Sequence, residues 1–518
     1  MALLAASRFA LGELYLAVAI LFLVLCVHQI KWHVSFSRKY RFPNPVPGLP
    51  IIGNALQMPS TGQGPFLQKL AEKYGEMYTM KFGATYWVIL NSQRVVSELL
   101  EKRASIYSSR PAFPMAHSLA SGKKRILVLP YGDLWRRERK VMHRILNNTK
   151  KRIFEPFQDI ESRALLYEYL HEPDLWPRSH LRYANSVVMS VVFGRRTSLR
   201  DPYLLELLHN SEEFVRYLMP GRSVVDVFPF LANVPWLKTW QPWRWYGDKL
   251  YRRTREVYKR EIDNLRQRRK LGIQKPCFMT EFFDAGEDKE FSDEEVYFIS
   301  GTLMEAGSDT TRVSLHEILA GAALYPDWIE RARVELDKVC GANAERLPVA
   351  RDIDQLRIVR AAAKESMRWK PTIAETGIPH ALIRDDDFEG YHFPAGTVFT
   401  WNHWGIANSA SEYEQPERFW PERFINDELD MAFKGHLGLG TGRRACVGYS
   451  VGINNLAIAI ARLVYCFDFE QDPSAPIDAS KPFFPDENGY PFKVIIKPRS
   501  EAHRDLVERE CRAAAVTN

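Results

Sequence analysis

The sequence predicts a mainly α-helical protein with small β-sheets, preceded by one N-terminal transmembrane helix. Most of the chain spaces its apolar residues with helical period, whereas only short segments alternate as strands do. A long apolar run lies within residues 1–30. The composition, with 46% hydrophobic and 26% charged residues, is that of a globular protein and excludes disordered and collagen-like classes.

The chain has 518 residues, and length alone would suggest about three domains. However, no second linker, repeat or low-complexity block interrupts residues 60–500. We therefore divide the chain into a membrane anchor (1–30), a basic and proline-rich hinge (31–55), one large domain (56–500) and a C-terminal tail (501–518).

The anchor prediction depends on the run from Phe9 to Val27, in which Glu13 is the one charge. A helix of this length spans about 28 Å, close to the hydrocarbon thickness of a bilayer. A cleaved signal peptide is the alternative, but the run continues into residues 28–32 without a small-residue cleavage site. Four basic residues follow the run and Arg8 alone precedes it, which places the bulk of the protein in the cytosol.

The hinge contains four prolines within residues 43–50. Fixed φ angles and missing N–H donors predict a stiff, extended segment there and not a helix. Such a segment would hold the large domain at a set orientation to the membrane.

The net charge is +7, from 70 Lys and Arg against 63 Asp and Glu. That excess suits an anionic membrane surface or an acidic protein partner, although a merely solvated basic surface is the simpler explanation. No nucleic-acid module accompanies the charge, so the sequence does not indicate a nucleic-acid partner.

Two pairs of strands are predicted within the large domain. Residues 76–82 and 85–91 flank Gly83-Ala84 and are typical of a hairpin. Residues 391–393 and 397–401 flank the turn at 394–396 and are typical of a second strand pair.

One long helix is predicted after the capping-box sequence that begins at Ser292, because no proline follows before Pro326. It would be about 45 Å long and would cross a whole domain. Gly307 and Ser308 lie in its middle. Either the helix tolerates them, or they mark a local distortion that makes room for a ligand.

A second helix, from Asp354 to Lys370, is predicted to stop at Pro371. It places Glu365 and Arg368 three residues apart on one face. From this spacing alone, the two side chains would be an ordinary surface ion pair.

The six cysteines include no CxxC pair, so the sequence does not favour a disulfide scaffold or a structural zinc site. Cys446 differs from the others, because residues 438–448 form a glycine-rich, basic loop that leads into an apolar helix, 449–467. A helix N-terminus and two adjacent arginines favour a thiolate, which is a candidate axial ligand for haem iron. A dinucleotide-binding loop is the rival interpretation, but it would need glycine in place of Arg443 and a preceding βαβ unit.

The segment Gly442-x-Arg444-x-Cys446-x-Gly448 resembles the haem-binding loop of the cytochrome P-450 monooxygenases. Four other motifs of that family stand in the family's order: Trp135-Arg136-Arg137-Glu138-Arg139, Ala306-Gly307-Ser308-Asp309-Thr310-Thr311, Glu365-Ser366-Met367-Arg368 and Pro421-Glu422-Arg423-Phe424. The resemblance covers essentially the whole chain. It implies the cytochrome P-450 fold and haem b with a cysteine thiolate ligand. Position 439 departs from the family, because Leu stands where Phe is usual.

The resemblance also implies a role for each matching residue. Cys446 would bind the iron. The partners of the haem propionates would be Trp135, Arg139, His380 and Arg444, with a looser match at His380. Glu365, Arg368 and Arg423 would form a buried structural triad, and Asp309 and Thr310 would be the acid–alcohol pair that delivers protons during oxygen activation.

Partners and substrate follow from the same resemblance. A basic surface containing Arg136, Arg137, Lys140, residues 150–152 and Arg443 would dock an NADPH-dependent cytochrome reductase, with a cytochrome b-type protein as a further electron donor. The aromatic segment 228–243 would lie over the substrate entrance, either dipping into the bilayer or packed under neighbouring helices. Pocket candidates 105–127, 300–304 and 372–378 are mainly apolar and indicate a medium-sized, apolar or aromatic substrate.

The sequence therefore predicts a monooxygenase on the endoplasmic reticulum membrane, single-pass and with its catalytic domain in the cytosol. It most resembles fungal members that tailor secondary metabolites. Two alternatives are haem-thiolate chemistry without a reductase, such as rearrangement of a peroxide, and a non-catalytic haem-binding sensor. Neither alternative would need the Asp309–Thr310 pair.

Overall fold

A computed structural model describes residues 35–146, 151–234, 240–371, 375–485 and 489–516. The predicted anchor, residues 1–30, lies outside the described residues, as do residues 372–374 of one pocket candidate. The side chains of Lys150, Lys151 and Arg152, assigned to the basic surface, are also outside them. Within the described residues helices dominate and the sheets are small, which confirms the predicted class.

The α-helices, numbered in chain order, are α1 (Gln63–Tyr74), α2 (Gln93–Val96), α3 (Ala104–Tyr107), α4 (Asp133–Leu146), α5 (Lys151–His171), α6 (Trp176–Phe193), α7 (Pro202–Arg216), α8 (Val224–Val227), α9 (Pro242–Lys270), α10 (Phe278–Asp284), α11 (Asp293–Leu324), α12 (Asp327–Cys340), α13 (Arg357–Arg368), α14 (His403–Ala407), α15 (Tyr449–Cys466) and α16 (Glu501–Val516). Single-turn 3₁₀ and π segments connect several of them, including Ala350–Gln355, Pro421–Phe424 and Gly442–Arg444.

The strands are β1 (Met77–Phe82), β2 (Thr85–Leu90), β3 (His380–Ala381), β4 (Asp386–Phe388), β5 (Tyr391–Phe393), β6 (Val398–Trp401), β7 (Phe467–Gln471) and β8 (Val494–Pro498). The largest sheet has the order β1-β2-β6-β3, and β4-β5 and β7-β8 form two-stranded sheets. The hairpin predicted around Gly83-Ala84 is β1-β2, with Phe82 opposite Thr85.

The second predicted strand pair is wrong in its partners. Strands β5 and β6 exist on both sides of the turn at 394–396, but they do not pair with each other. Strand β5 pairs with β4, while β6 runs parallel to β2 and places Val88 opposite Phe399. A parallel partner this distant in the chain has no local signature in the sequence.

The long helix α11 begins and ends where the sequence predicts. Its N-cap Ser292 accepts a hydrogen bond from the Glu295 N–H at 3.3 Å, and Glu295 Oε2 accepts from the Ser292 N–H at 2.7 Å. The α-helix continues through Gly307 and Ser308, which agrees with the first of the two interpretations, a helix that tolerates both residues. Gly307 also allows close packing of α6, since a Cβ at that position would lie 3.0 Å from Val188.

Two other boundaries differ from the sequence prediction. The helix expected from Asp354 to Lys370 begins only at Arg357, after a 3₁₀ segment that ends at Gln355. Residues 501–516, set apart as a tail, form helix α16, whose apolar face lies in the largest hydrophobic core beside α5 and α15.

The hinge is helical at residues 35–39 and then runs beside strand β1, where Pro45 bridges to Thr79. Val46 N–H donates to Thr79 O at 2.8 Å, and Asn44 Nδ2 donates to Tyr74 O at 2.7 Å. One described helix, α15, is long and apolar enough to cross a membrane, but 72% of that stretch is buried inside the protein. It is therefore a core helix, and it leads directly from the loop that carries Cys446.

Candidate active site

The loop before α15 presents Cys446 from a tightly folded backbone. Cys446 N–H donates to Leu439 O at 2.8 Å and closes the loop. Gly442 has φ +58°, and a Cβ there would lie 2.0 Å from Leu100 O, so only glycine permits this approach to the neighbouring backbone. The Cys446 side chain is solvent-accessible although protein atoms surround it closely, and we interpret this combination as the border of an interior cleft.

The pKa of the Cys446 thiol differs from the sequence expectation. Burial raises it, and the Gly448 N–H and the Arg139 guanidinium oppose that rise only in part. The two arginines of the loop point elsewhere, since Arg444 donates to Ser108 O at 2.7 Å and Arg443 to the Tyr131 hydroxyl at 2.9 Å. A bound metal cation, and not the arginines of the loop, would therefore lower the pKa of the Cys446 thiol and favour the thiolate.

Helix α11 packs against α15, the helix that follows the Cys446 loop. Most of its central residues are buried, but Ala306 and Thr310 are exposed and Thr302 is partly exposed. These three positions are four residues apart and share one face. We interpret this accessible strip and the Cys446 thiol as two walls of one cleft in the interior.

The predicted acid–alcohol pair lies on α11, but its two side chains do not contact each other. The Thr310 hydroxyl donates to Ala306 O at 2.9 Å, one turn back. Asp309 is buried and paired with Arg312, whose Nη2 lies 2.6 Å from Oδ1. A carboxyl of Glu212, 3.7 Å from the same guanidinium, completes the group.

Three of the predicted propionate partners meet beside the Cys446 loop. The Arg444 guanidinium stacks on Trp135, 4.3 Å from the ring centre, and Arg139 lies 5.5 Å from the same ring. Arg139 Nη2 also donates to Ala445 O at 2.6 Å, which ties α4 to the loop. Burial, and then repulsion by Arg139, lower the pKa of Arg444 to about 9.

The fourth predicted partner, His380, is fully buried in β3. Its Nδ1 donates to Tyr107 O at 2.7 Å. Burial, followed by the charge of Arg110, lowers its pKa well below the ordinary range, so the imidazole is neutral. His380 thus stands next to the arginine cluster as a neutral hydrogen-bonding group.

Arg110 belongs to this cluster, and in the sequence it was predicted only as part of the pocket candidate 105–127. Its Nη1 donates to Ile378 O at 2.6 Å and to Pro379 O at 2.7 Å, beside His380. Burial and the neighbouring Arg444 lower its pKa. The residue lies in a loop without a motif, so no spacing in the sequence distinguishes it.

Arg110, Arg139 and Arg444 make no ion pair with an acid in the part of the chain that the structure describes. One buried and two half-buried cations without a counter-charge are costly unless an anion joins them. Haem b brings two carboxylates and an iron that binds thiolate. An accessible thiol beside unpaired arginines therefore fits that cofactor.

The predicted structural triad is brought together behind the loop. Arg368 Nη2 lies 2.7 Å from Glu365 Oε1, and Arg423 Nε lies 3.3 Å from the same oxygen. All three side chains are buried, and Arg368 also donates to Ala407 O and Pro416 O. The ion pair of Glu365 and Arg368 is therefore part of the buried core. Its spacing in the sequence alone suggests a surface ion pair.

A cavity of about 300 Å³ lies between the largest sheet and the segment around α8, and Arg110 is among the residues that line it. Its walls are mainly apolar and include Trp87, Phe113 and Tyr217, with Asp226 as its acid. Burial raises the pKa of Asp226 to about 7, although its carboxylate accepts a hydrogen bond from the Met115 N–H.

Glu375 is the one acid in the pocket candidate 372–378, but the structure places it elsewhere. It is fully buried, and its Oε2 accepts a hydrogen bond from Gly64 N–H at 3.2 Å, at the beginning of α1. It therefore caps a helix and does not line the apolar cavity.

Residues 43–490 match the sequence profile of the family described as Cytochrome P-450. The chain is 34% identical over 493 residues to Cytochrome P-450 monooxygenase virE of Hypocrea virens, covering 92% of this chain and 88% of that protein. It is 32% identical over 510 residues to Cytochrome P-450 monooxygenase fogE of Aspergillus ruber, covering 94% of this chain and 93% of that protein. It is 32% identical over 499 residues to Cytochrome P-450 monooxygenase aneD of Aspergillus aculeatus, covering 92% of each.

Proposed function

The chain belongs to the cytochrome P-450 family of haem-thiolate monooxygenases, and from this premise we propose its specific role. It is a membrane-anchored enzyme that oxidises a medium-sized, apolar or aromatic small molecule with O2 and electrons from an NADPH-dependent reductase. Its similarity to fungal relatives supports a place in fungal secondary-metabolite biosynthesis.

One observation carries the proposal: the accessible Cys446 thiol lies beside arginines that have no acidic ion-pair partner among the described residues. In this assignment Cys446 binds the haem iron, and the haem, when bound, supplies the activation of molecular oxygen. Trp135, Arg139, His380 and Arg444 hold the propionates, and the charge of the arginines offsets the cost of burying two carboxylates.

Asp309 and Thr310 deliver protons to the cleft in this proposal. Thr310 projects its hydroxyl from the accessible strip, and Asp309 stands beside it in contact with Arg312. Movement of the Asp309 carboxylate away from Arg312 would connect the cleft with solvent-exchangeable protons. The structural triad of Glu365, Arg368 and Arg423 has no part in the proton transfer and holds the backbone behind the loop.

Exposed aromatic residues around the connection between α8 and α9 support a substrate that arrives from the membrane. Phe230, Trp240, Trp245 and Tyr246 are each more than half exposed, at 64%, 79%, 56% and 60%. Aromatic side chains of this kind favour the interface of a bilayer. Together with the N-terminal anchor, they would place the domain on the cytosolic face of the endoplasmic reticulum.

Electrons reach the haem from the side of α4 and the Cys446 loop in this proposal. Arg136, Lys140 and Arg443 are exposed there and give that surface a basic character. An acidic reductase, or a cytochrome b-type donor, would be attracted to it.

The reduced, carbon monoxide-bound spectrum of the full-length protein in microsomes tests the assignment. We expect the long-wavelength Soret band of a thiolate-bound haem, and Cys446→Ala should abolish it. Cys277→Ala is the matched control, because that cysteine is buried in another core and should leave the band unchanged. A band at the ordinary histidine-haem position in the wild type would overturn the proposal, and full turnover without reductase would favour peroxide rearrangement.

A further inference from the structure

Beside the accessible strip of α11 lies a buried polar cluster that the proposed chemistry does not use. Arg125 and Glu305 form an ion pair in which the side chains are only 2% and 8% exposed. The Arg125 guanidinium also stacks on Phe214 of α7, 3.8 Å from the ring centre. The pair therefore joins the loop before α4 to two helices, α7 and α11.

This polar cluster is incompletely satisfied by the protein. In the described part of the chain, Nε and Nη2 of Arg125 and the Thr302 hydroxyl are buried without a hydrogen-bond partner. The Tyr258 hydroxyl lies close enough to the Glu305 carboxylate to interact with it. Leaving such buried groups unpaired is costly, so a polar group from outside the chain is expected among them.

The cluster adjoins the candidate active site. Thr302 is part of the accessible strip, and Glu305 follows it by one turn on the adjacent face. Glu305 precedes Thr310 by five residues, which is about 7.5 Å along the helix axis. A medium-sized molecule lying along α11 would therefore reach both the cluster and the Thr310 hydroxyl.

The charges of the cluster select the kind of group that fits. Arg125 and Glu305 neutralise each other, so the cluster offers unpartnered N–H donors on one side and, on the other, the Glu305 carboxylate, which can accept a hydrogen bond in addition to that of Tyr258. A hydroxyl group accepts from the first and donates to the second. A carboxylate has no proton to donate and would add a second negative charge beside Glu305, whose pKa burial already raises.

We propose that Arg125 and Glu305 form a subsite that binds a hydroxyl group on the part of the substrate remote from Thr310. The inference rests on the proposed function, because it takes the cleft along α11 to be the substrate site. Arg125 and Glu305 are then residues that determine specificity, and they orient the apolar body of the substrate along the helix.

Spectral titration of the ferric full-length holoenzyme with three matched probes tests the subsite. Naphthalene, 2-naphthol and 2-naphthoate share an apolar body and differ in the polar group. We expect the wild type to bind 2-naphthol about tenfold more tightly than naphthalene and also more tightly than 2-naphthoate. The variant Arg125→Met/Glu305→Met removes both charges together, which avoids a stranded buried charge. In it, the preference for 2-naphthol should fall below about threefold.

The control is Arg499→Met/Asp337→Met, which removes an ion pair of 2.7 Å between α12 and the segment after β8. It should keep the preference of the wild type. A wild type without the preference, or a double variant of Arg125 and Glu305 that retains it, would overturn the subsite and leave water as the occupant of the cluster. A normal carbon monoxide spectrum from the same sample would show that the proposed function survives that result.

Discussion

The hydroxyl of Thr310 has two possible roles, and the structure defines how to separate them. It donates to Ala306 O within the helix, a bond that contributes little to stability. It is also one of the few polar groups on the accessible strip of α11. Only proton delivery from the accessible strip, and not the hydrogen bond within the helix, would affect the use of oxygen.

Thr310→Ala should retain the thiolate-type carbon monoxide spectrum but lower the product formed per O2 consumed by about tenfold or more, because a positioned proton donor is lost. Stability should change by less than about 0.5 kcal/mol. The measurement is product formed against NADPH and O2 consumed in a reconstituted system. Thr310→Ser keeps the hydroxyl and should stay coupled, so equal coupling in the Ala and Ser variants would refute the proton-delivery role.

Single residues were predictable where a motif fixes their spacing. Cys446, Arg368 and Thr310 were singled out in this way, whereas Arg110 and Arg125 were predicted only as part of the pocket candidate 105–127. The loop that carries these two arginines has no periodic pattern. Their positions depend on contacts with Pro379 and Glu305, which lie far away in the chain.

Elements were predictable where local chemistry determines them, and their partners were not. The capping box defines the start of α11, and Gly83-Ala84 joins β1 to β2 because a hairpin needs only neighbouring residues. The parallel pairing of β2 with β6 joins residues about three hundred positions apart, and no short-range pattern encodes it. Helix α1 shows the same effect, since its N-terminus is capped by Glu375 from a distant segment.

Glu375→Gln should stabilise the protein at alkaline pH and leave its stability unchanged near pH 4.5. Burial raises the pKa of Glu375 from 4.5 to about 7, while hydrogen bonds from Gly64 and Gln63 lower it only in part. As pH rises from 4.5 to 7, the unfolded chain releases this proton and the folded chain retains it, so stability falls. Above pH 7 the ionised Glu375 lowers the free energy of unfolding of the wild type by a constant amount, about 1–3 kcal/mol.

Chemical unfolding of wild type and variant at pH 4.5 and pH 8, followed by tryptophan fluorescence, measures this difference. The matched control is Glu256→Gln, an exposed glutamate of α9, which should behave as the wild type at both pH values. Equal stability of wild type and Glu375→Gln at pH 8 would contradict a buried carboxylate at the N-terminus of α1.

The positive charges behind the net charge of +7 lie in two kinds of place, inside the protein and on its surface. Arg110 is buried and Arg139 and Arg444 are half-buried, and none of the three has an acidic ion-pair partner among the described residues; a dianionic cofactor would supply that negative charge. On the outer side of α4, Arg136 is paired with Asp133 and Arg137 donates to Glu290 O. Composition gave the size of this excess, but only the fold separates the buried cations from the exposed ones.

Lys140→Glu should therefore weaken the reductase-supported reaction. Lys140 is exposed one residue after Arg139, which contacts the Cys446 loop, so it lies on the outer face of the helix nearest the proposed electron entry. Reversing this charge should slow reduction of the enzyme about three- to tenfold at low salt, because electrostatic steering is lost. The difference should disappear near 1 M salt, where charges are screened over about 3 Å.

Stopped-flow reduction by NADPH and reductase, measured over a series of salt concentrations, provides the test. Lys249→Glu on α9 carries the same exposed charge reversal away from α4 and the Cys446 loop and should follow the wild type. Turnover driven by hydrogen peroxide bypasses the reductase, so it should be equal in all three proteins. If Lys140→Glu reduced at the wild-type rate at low salt, the reductase would have to dock elsewhere, because a docking surface that includes α4 cannot be indifferent to the sign of that charge.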